Sequence, residues 1–297
     1  MTVPPDAAAS LPQIALLGLV QGLAELLPVS SSAHVIIAEK LLRLDPSSPE
    51  LTFLLVMLHT GTMGAVIVYF WNAWRENYFA SAYRFGTTLA NVFVATAVTG
   101  VIGFALKLLI EKVFLHAGPE GKAEVEQLFS RLPLIAGALA LGGVWILLAG
   151  LNQRQERGRG KPVDGFSATW IGAAQGLCLP FRGLSRSGVT ISTATLAGAG
   201  KRHAEEFSFA LAVVLTPLAI AHELRRLLAA QGPGHHHLGH LGKLLLPGAF
   251  GMGCSFIAGL FALWLLSRWL QAGKWHYFGL YSLTLAVIVA GLAAAGY

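Results

Sequence analysis

Two polar stretches interrupt an otherwise apolar chain, and they share a pattern. The first is Gln21-Gly22-Leu23-Ala24-Glu25-Leu26-Leu27-Pro28-Val29-Ser30-Ser31-Ser32-Ala33-His34. The second is Gln175-Gly176-Leu177-Cys178-Leu179-Pro180-Phe181-Arg182-Gly183-Leu184-Ser185-Arg186-Ser187-Gly188. Each runs Gln-Gly-Leu, then a proline, then a serine cluster. Ionisable groups inside apolar helical segments cost free energy unless they are paired or wetted, so they mark functional sites. Their recurrence about 150 residues apart predicts one site assembled from two related halves.

Composition sets the class. Of 297 residues, 55% are hydrophobic and only 12% charged, with a mean hydropathy of +0.62. A soluble domain carries roughly 25% charge, so the chain reads as an integral membrane protein. The net charge of +6 does not call for nucleic acid, because loop Lys and Arg are expected beside anionic lipid. Cys178 and Cys254 lie in apolar sequence and form neither a disulfide framework nor a metal spacing. No basic n-region precedes the first apolar run, so no cleavable signal is expected.

Six hydrophobic stretches, at 51–72, 87–110, 131–151, 206–227, 244–267 and 276–296, reach the roughly 20 residues that span a hydrocarbon core. Segments 11–42 and 166–200 differ. Each is a short apolar helix, a Pro/Gly/Ser break and another short helix, the pattern of a re-entrant hairpin. The expectation is an all-α integral membrane fold with six transmembrane helices and two re-entrant helical hairpins. An odd number of spans per half makes it an inverted-topology repeat within a single membrane domain, 1–297, with halves at 11–151 and 166–296. The short basic loop at 152–163 is placed in the cytoplasm.

The first patch carries acid/base chemistry. Glu25 follows Gln21 by four residues, so both share a helix face. Pro28 ends that helix. Ser30, Ser31 and Ser32 sit where the next helix starts, where hydroxyls cap and backbone N–H groups bind phosphate. His34 falls in the following turn. A carboxylate, hydroxyls and an imidazole are the parts that phosphoester hydrolysis needs. The second patch supplies positive charge: Ser185, Arg186, Ser187 and Gly188 form an anion nest of hydroxyls, backbone donors and a guanidinium. A structural role for Arg186, as partner of Glu25 or of helix carbonyls, is the alternative. His59 and Thr60, mid-span, either line the cavity or bond between helices.

The first patch resembles the signature of the bacterial undecaprenyl-diphosphate phosphatase family of the bacitracin-resistance type, Glu/Gln-Gly-x-x-Glu-x-x-Pro-x-Ser-Ser-x-x-His. The second is similar to that family's Pro-Gly-x-Ser-Arg-Ser-Gly motif. Further likeness lies at His59-Thr60-Gly61-Thr62, Tyr69-Phe70-Trp71 and Glu205-Glu206-Phe207-Ser208-Phe209. The resemblance implies hydrolysis of undecaprenyl diphosphate to the monophosphate carrier for peptidoglycan synthesis. It implies a divalent cation, Mg²⁺ or Ca²⁺, with Glu25 as a metal ligand. It implies a bacterial inner-membrane location with the active site facing the exterior. Glu25, Ser31, His34 and Arg186 fall at the catalytic positions. Gln21, Ser30, Ser32, Arg182, Ser185, Ser187 and Gly188 are the expected substrate contacts. The expected partners are a polyprenyl diphosphate lipid, membrane lipids and no nucleic acid, and a homodimer is compatible with the class.

Two departures stand out. Gln21 occupies a position often held by glutamate, which leaves Glu25 as the carboxylate of this helix. The family's Pro-Gly becomes Pro180-Phe181-Arg182-Gly183, which adds a guanidinium, either a second contact to the diphosphate or a side chain that snorkels to headgroups. The rival function is a transporter or flippase for an anionic polyprenyl lipid, since inverted repeats with broken helices also build transporters.

Overall fold

Several helix starts are set by short polar residues. At Ser10, Gln13 Oε1 accepts from both the backbone N–H and the hydroxyl, each at 2.8 Å, which gives the side-chain half of a capping box. Ser48 accepts from Leu51 N at 3.2 Å, with Pro49 at the first helical position. Asp164 accepts from Ser167 N at 2.8 Å, and Ser185 accepts from Gly188 N at 3.3 Å.

The computed structural model describes residues 9–45, 48–110, 112, 132–152, 160–181, 183–230 and 237–295. Among the described residues it contains ten α-helices and no strand. They are α1 Leu11–Leu26, α2 Ser31–Leu41, α3 Pro49–Asn77, α4 Ala82–Ile110 and α5 Leu132–Leu151. They continue with α6 Gly165–Cys178, α7 Arg186–Leu196, α8 Lys201–Ala230, α9 His237–Gln271 and α10 His276–Ala294. Five are long and apolar enough to cross a membrane: α3, α4, α5, the Leu244–Gln271 part of α9, and α10. The sixth expected stretch lies inside α8, which is 30 residues long but opens on the charged turn Lys201–Glu206 and is not one of the five. Both expected hairpins are pairs of short helices, α1 with α2 and α6 with α7, broken next to Pro28 and Pro180. Most of the basic loop used to orient the chain, 153–159, lies outside the described residues, as does Arg182.

The chain divides into two compact units, one of Met1–Leu26, Ser31–Trp71 and Ala212–Leu265, the other of Leu27–Ser30, Asn72–Leu211 and Leu266–Tyr297. Helices from both halves of the sequence contribute to each.

In the first unit, α1 lies backbone-close on α9. A Cβ added at Gly22 would come 2.5 Å from Ser255 O, and one at Gly18 would come 2.9 Å from Gly251 O. Gly61 of α3 approaches Met252 O of α9 just as closely. Such contacts need a glycine on at least one side, and they hold helices together where apolar burial alone gives little. Ile14, Leu17, Ala38, Leu51, Leu54 and Leu58 fill the space among α1, α2 and α3.

The second unit repeats the device with other helices. Gly172 of α6 abuts Ala95 O of α4, and a Cβ at Gly176 would lie 3.1 Å from Thr99 O. Gly143 of α5 and Gly279 of α10 pack face to face, with a Cβ on Gly143 reaching 3.0 Å from Gly279 O. Helix α7 is almost wholly buried. Its Ser192 Oγ accepts from Trp275 Nε1 at 2.9 Å, and Thr190 Oγ1 shares a hydrogen bond of 2.6 Å with Ser208 Oγ of α8. Buried Glu206 accepts from Arg202 Nε at 3.0 Å and from Asn77 Nδ2 at 2.8 Å, while its backbone carbonyl accepts from Trp74 Nε1 at 3.1 Å. Its neighbour Glu205 accepts from Ser267 Oγ. The Glu205-Glu206 pair thus fastens the last turn of α3 and the last turns of α9 to the start of α8.

Candidate active site

The first patch folds so that two of its polar groups, Gln21 and Ser31, converge on the Glu25 carboxylate. Helix α1 places Gln21 and Glu25 one turn apart, and Gln21 Nε2 donates to Glu25 Oε2 at 3.3 Å. The Leu27–Ser30 turn reverses the chain with Ser30 at φ 68°, a left-handed conformation that a non-glycine residue adopts at a cost. That reversal brings Ser31, the first residue of α2, back toward α1, where its Oγ donates to Glu25 Oε2 at 2.6 Å. A hydroxyl bonded this tightly to a carboxylate can lose its proton to it, the geometry of an activated nucleophile.

The same oxygen has a further neighbour. His59 Nε2 of α3 lies 3.8 Å from Glu25 Oε2, and His59 Nδ1 is 2.8 Å from Leu55 O one turn earlier on its own helix. The expectation for His59 was a cavity lining or an interhelical bond. Its hydrogen bond is intrahelical, and its other edge faces the carboxylate. The signal was present in the sequence, because His59-Thr60-Gly61-Thr62 is a polar run within an apolar helix. The fold that brings it to Glu25 across 34 residues of chain was not readable there.

Gln21 is fully buried, and its Oε1 has no hydrogen-bond partner. A buried amide oxygen left unpaired costs about 1–3 kcal/mol, which marks it as a seat for a donor or a cation. Among the described residues no three His, Cys, Asp or Glu side chains gather as a metal cluster. The donor set of this corner is Glu25, the Gln21 amide oxygen and the Ser31 hydroxyl. These are hard oxygen ligands of the kind Mg²⁺ uses when one or two protein groups and substrate phosphates complete its shell. The residues fit such an ion. Ser32 and His34 lie half-buried in the first turn of α2.

The second patch lies in the second unit. Arg186 is the first residue of α7, and Ser185 is its N-cap. The Ser185 and Ser187 hydroxyls are 3.4 Å apart at the N-terminus of α7, the kind of position at which phosphate binds. The turn before it needs Gly183 at φ 106°, where a Cβ would also strike Ile135 O at 2.7 Å. The Leu27–Ser30 turn belongs to this same unit. Ser187 Oγ donates to Leu27 O at 3.5 Å, and Ser282 Oγ donates to Pro28 O at 3.4 Å. A Cβ on Gly188 would lie 3.1 Å from the Pro28 ring. The break of the first patch therefore packs on the helix start of the second.

These features define a class: a multi-pass helical membrane protein that keeps a carboxylate, a hydroxyl and an imidazole together within its apolar helices. Residues 14–288 match the family model described as bacitracin resistance protein BacA, and the chain belongs to that family. It is 54% identical over 288 residues to undecaprenyl-diphosphatase 2 of Acinetobacter baylyi, covering 96% of this chain and 99% of that protein. It is 32% identical to the undecaprenyl-diphosphatase of Desulforudis audaxviator, over 93% of this chain and 95% of the relative. The corresponding protein of Thermotoga maritima is 30% identical over 92% and 97%.

Proposed function

We propose that this chain hydrolyses undecaprenyl diphosphate to undecaprenyl phosphate and inorganic phosphate, returning the lipid carrier to peptidoglycan synthesis. Near-full-length identity of 54% to an undecaprenyl-diphosphatase supports the reading, and the observation that carries it is the 2.6 Å bond from Ser31 Oγ to Glu25 Oε2. Glu25 takes the proton of the attacking oxygen, which belongs to Ser31 or to a water in its place. That oxygen bonds to the terminal phosphorus as the bridging P–O bond breaks. His34 gives a proton to the departing undecaprenyl phosphate, the general-acid work for which an imidazole is often used. Arg186, Ser185, Ser187, Gly188 and the α7 N–H groups hold the phosphate oxygens and offset their charge in the transition state. Ser30, Ser32 and Gln21 complete the contacts, and Arg182 adds a second guanidinium. Glu25 and the Gln21 amide oxygen would hold Mg²⁺ or Ca²⁺, which supplies charge neutralisation on the diphosphate.

The same reading places the protein in the bacterial inner membrane with the site open to the exterior. Apolar grooves hold the polyprenyl tail. The two halves, 11–151 and 166–296, form an inverted-topology repeat of six spans and two re-entrant hairpins. Reciprocal packing supports this, since α1 of the first half lies on α9 and α6 of the second lies on α4. The test is phosphate release from undecaprenyl diphosphate by the purified protein in detergent, with and without chelator. Release that Glu25→Ala abolishes is the expected result. Tight binding of the lipid without any release would overturn the reading in favour of the flippase.

A further inference from the structure

His59 has no part in the chemistry above, yet it lies beside the catalytic carboxylate. The Leu55 carbonyl can only accept, so the 2.8 Å contact puts the proton of the neutral ring on Nδ1. Nε2 then presents a lone pair. It sits 3.8 Å from Glu25 Oε2, a carboxylate oxygen that is also an acceptor. Two acceptors at that separation do not bond to each other. They are, however, placed to share one donor with two hydrogens. The two O–H arms of a water molecule, each about 2.8 Å long to its acceptor, reach partners roughly 4 Å apart. The side chains are 41% and 16% exposed, so neither is sealed off by packing.

We propose that His59 Nε2 and Glu25 Oε2 together seat the hydrolytic water, and that His59 is a catalytic residue for phosphate release. The inference rests on the phosphatase reading. Whichever oxygen attacks first, one water must enter for each phosphate set free. Its oxygen forms the new P–O bond while the bond to the leaving oxygen breaks. One of its protons passes to Glu25, and a proton is delivered to the leaving oxygen. His59 Nε2 accepts the second O–H, which turns the water's lone pairs toward phosphorus. Fixing a reactant in this way is worth about 10²-fold in rate when it is lost.

Three substitutions separate this role from a structural one. Glutamine places its amide oxygen where Nε2 stands, whereas asparagine reaches only as far as Nδ1 and keeps the bond to Leu55. His59→Leu should lower kcat for undecaprenyl diphosphate about 10²-fold with KM little changed. His59→Gln should recover most of that loss, and His59→Asn should not. Thermal unfolding in detergent reports whether each variant is folded. The proposal is overturned if His59→Leu keeps its kcat, if only KM moves, or if asparagine rescues and glutamine does not. In any of those cases the phosphatase reading still stands, provided that the wild type releases phosphate and Glu25→Ala does not. Wild-type protein that releases none overturns both.

Discussion

The two hairpins start alike and diverge at matching positions. Each carries a fully buried glutamine whose Oε1 is unpaired and whose Nε2 donates to the next polar group, Glu25 Oε2 in one and Thr99 Oγ1 in the other. Four residues on, the first hairpin has Glu25 and the second has Leu179, whose side chain fills the space over Gly103 of α4. Both chains then reverse through a left-handed residue, Ser30 in the first and Gly183 in the second. After the turn, the first residue of the returning helix is Ser31 in one case and Arg186 in the other. A common backbone device thus carries different side chains. In the mechanism proposed above, the first copy supplies the proton acceptor and a nucleophile, and the second supplies the cation and the helix start that hold the phosphate.

If that division is right, damage to the two copies should look different. Glu25→Gln should lower kcat by about 10²–10⁴-fold, the range for loss of a positioned base, and Ser31→Ala should follow it if the serine itself attacks. Arg186→Ala should cost about 10²–10³-fold in kcat/KM, with part of the loss in KM, because the guanidinium grips the ground state as well. Equal, purely kcat effects at both positions would break the distinction.

Smaller effects sharpen the comparison of the turns. Gly183→Ala adds a Cβ to a left-handed residue and drives it toward Ile135 O. It should cost about 1–3 kcal/mol of stability, seen as a lower thermal midpoint in detergent. Ser30→Gly removes the same kind of strain and should raise the midpoint slightly, while testing the hydroxyl in the KM. The least effect is expected at Asp164. The hydrogen bond from Ser167 holds its carboxyl below the usual carboxylate range. Its capping contribution is therefore present above the unfolded pKa and is lost as pH falls through the lower, folded value. Asp164→Ala should cost less than about 1 kcal/mol at neutral pH, because the carboxylate is exposed, and nothing once the native carboxyl is protonated. Urea titrations at two pH values would measure it.

Much of this was readable from residue order. Proline and serine placed the helix breaks, and the four-residue spacing of Gln21 and Glu25 put them on one face. The apolar stretches lie within helices, to within two residues at their ends, although α8 begins five residues before its hydrophobic stretch. Hydropathy misses that turn because it scores Arg202 and Glu206 singly, whereas the fold neutralises them as a pair. His59 is hard to place from sequence for a related reason. Local sequence says that it is polar and mid-helix, but only tertiary packing puts it beside Glu25. The unpaired oxygen of Gln21 is likewise a property of the packed state.

Ser255 of α9 carries one more consequence. Its hydroxyl donates to the carbonyl of Leu58, the residue before His59, at 2.8 Å. Its own carbonyl is the surface on which Gly22 rests, one turn from Glu25. Ser255 thus helps to set the spacing between imidazole and carboxylate from a distance. A methyl group gained at Gly22 would change that spacing, so inactive variants can arise at positions where no reacting atom is ever met.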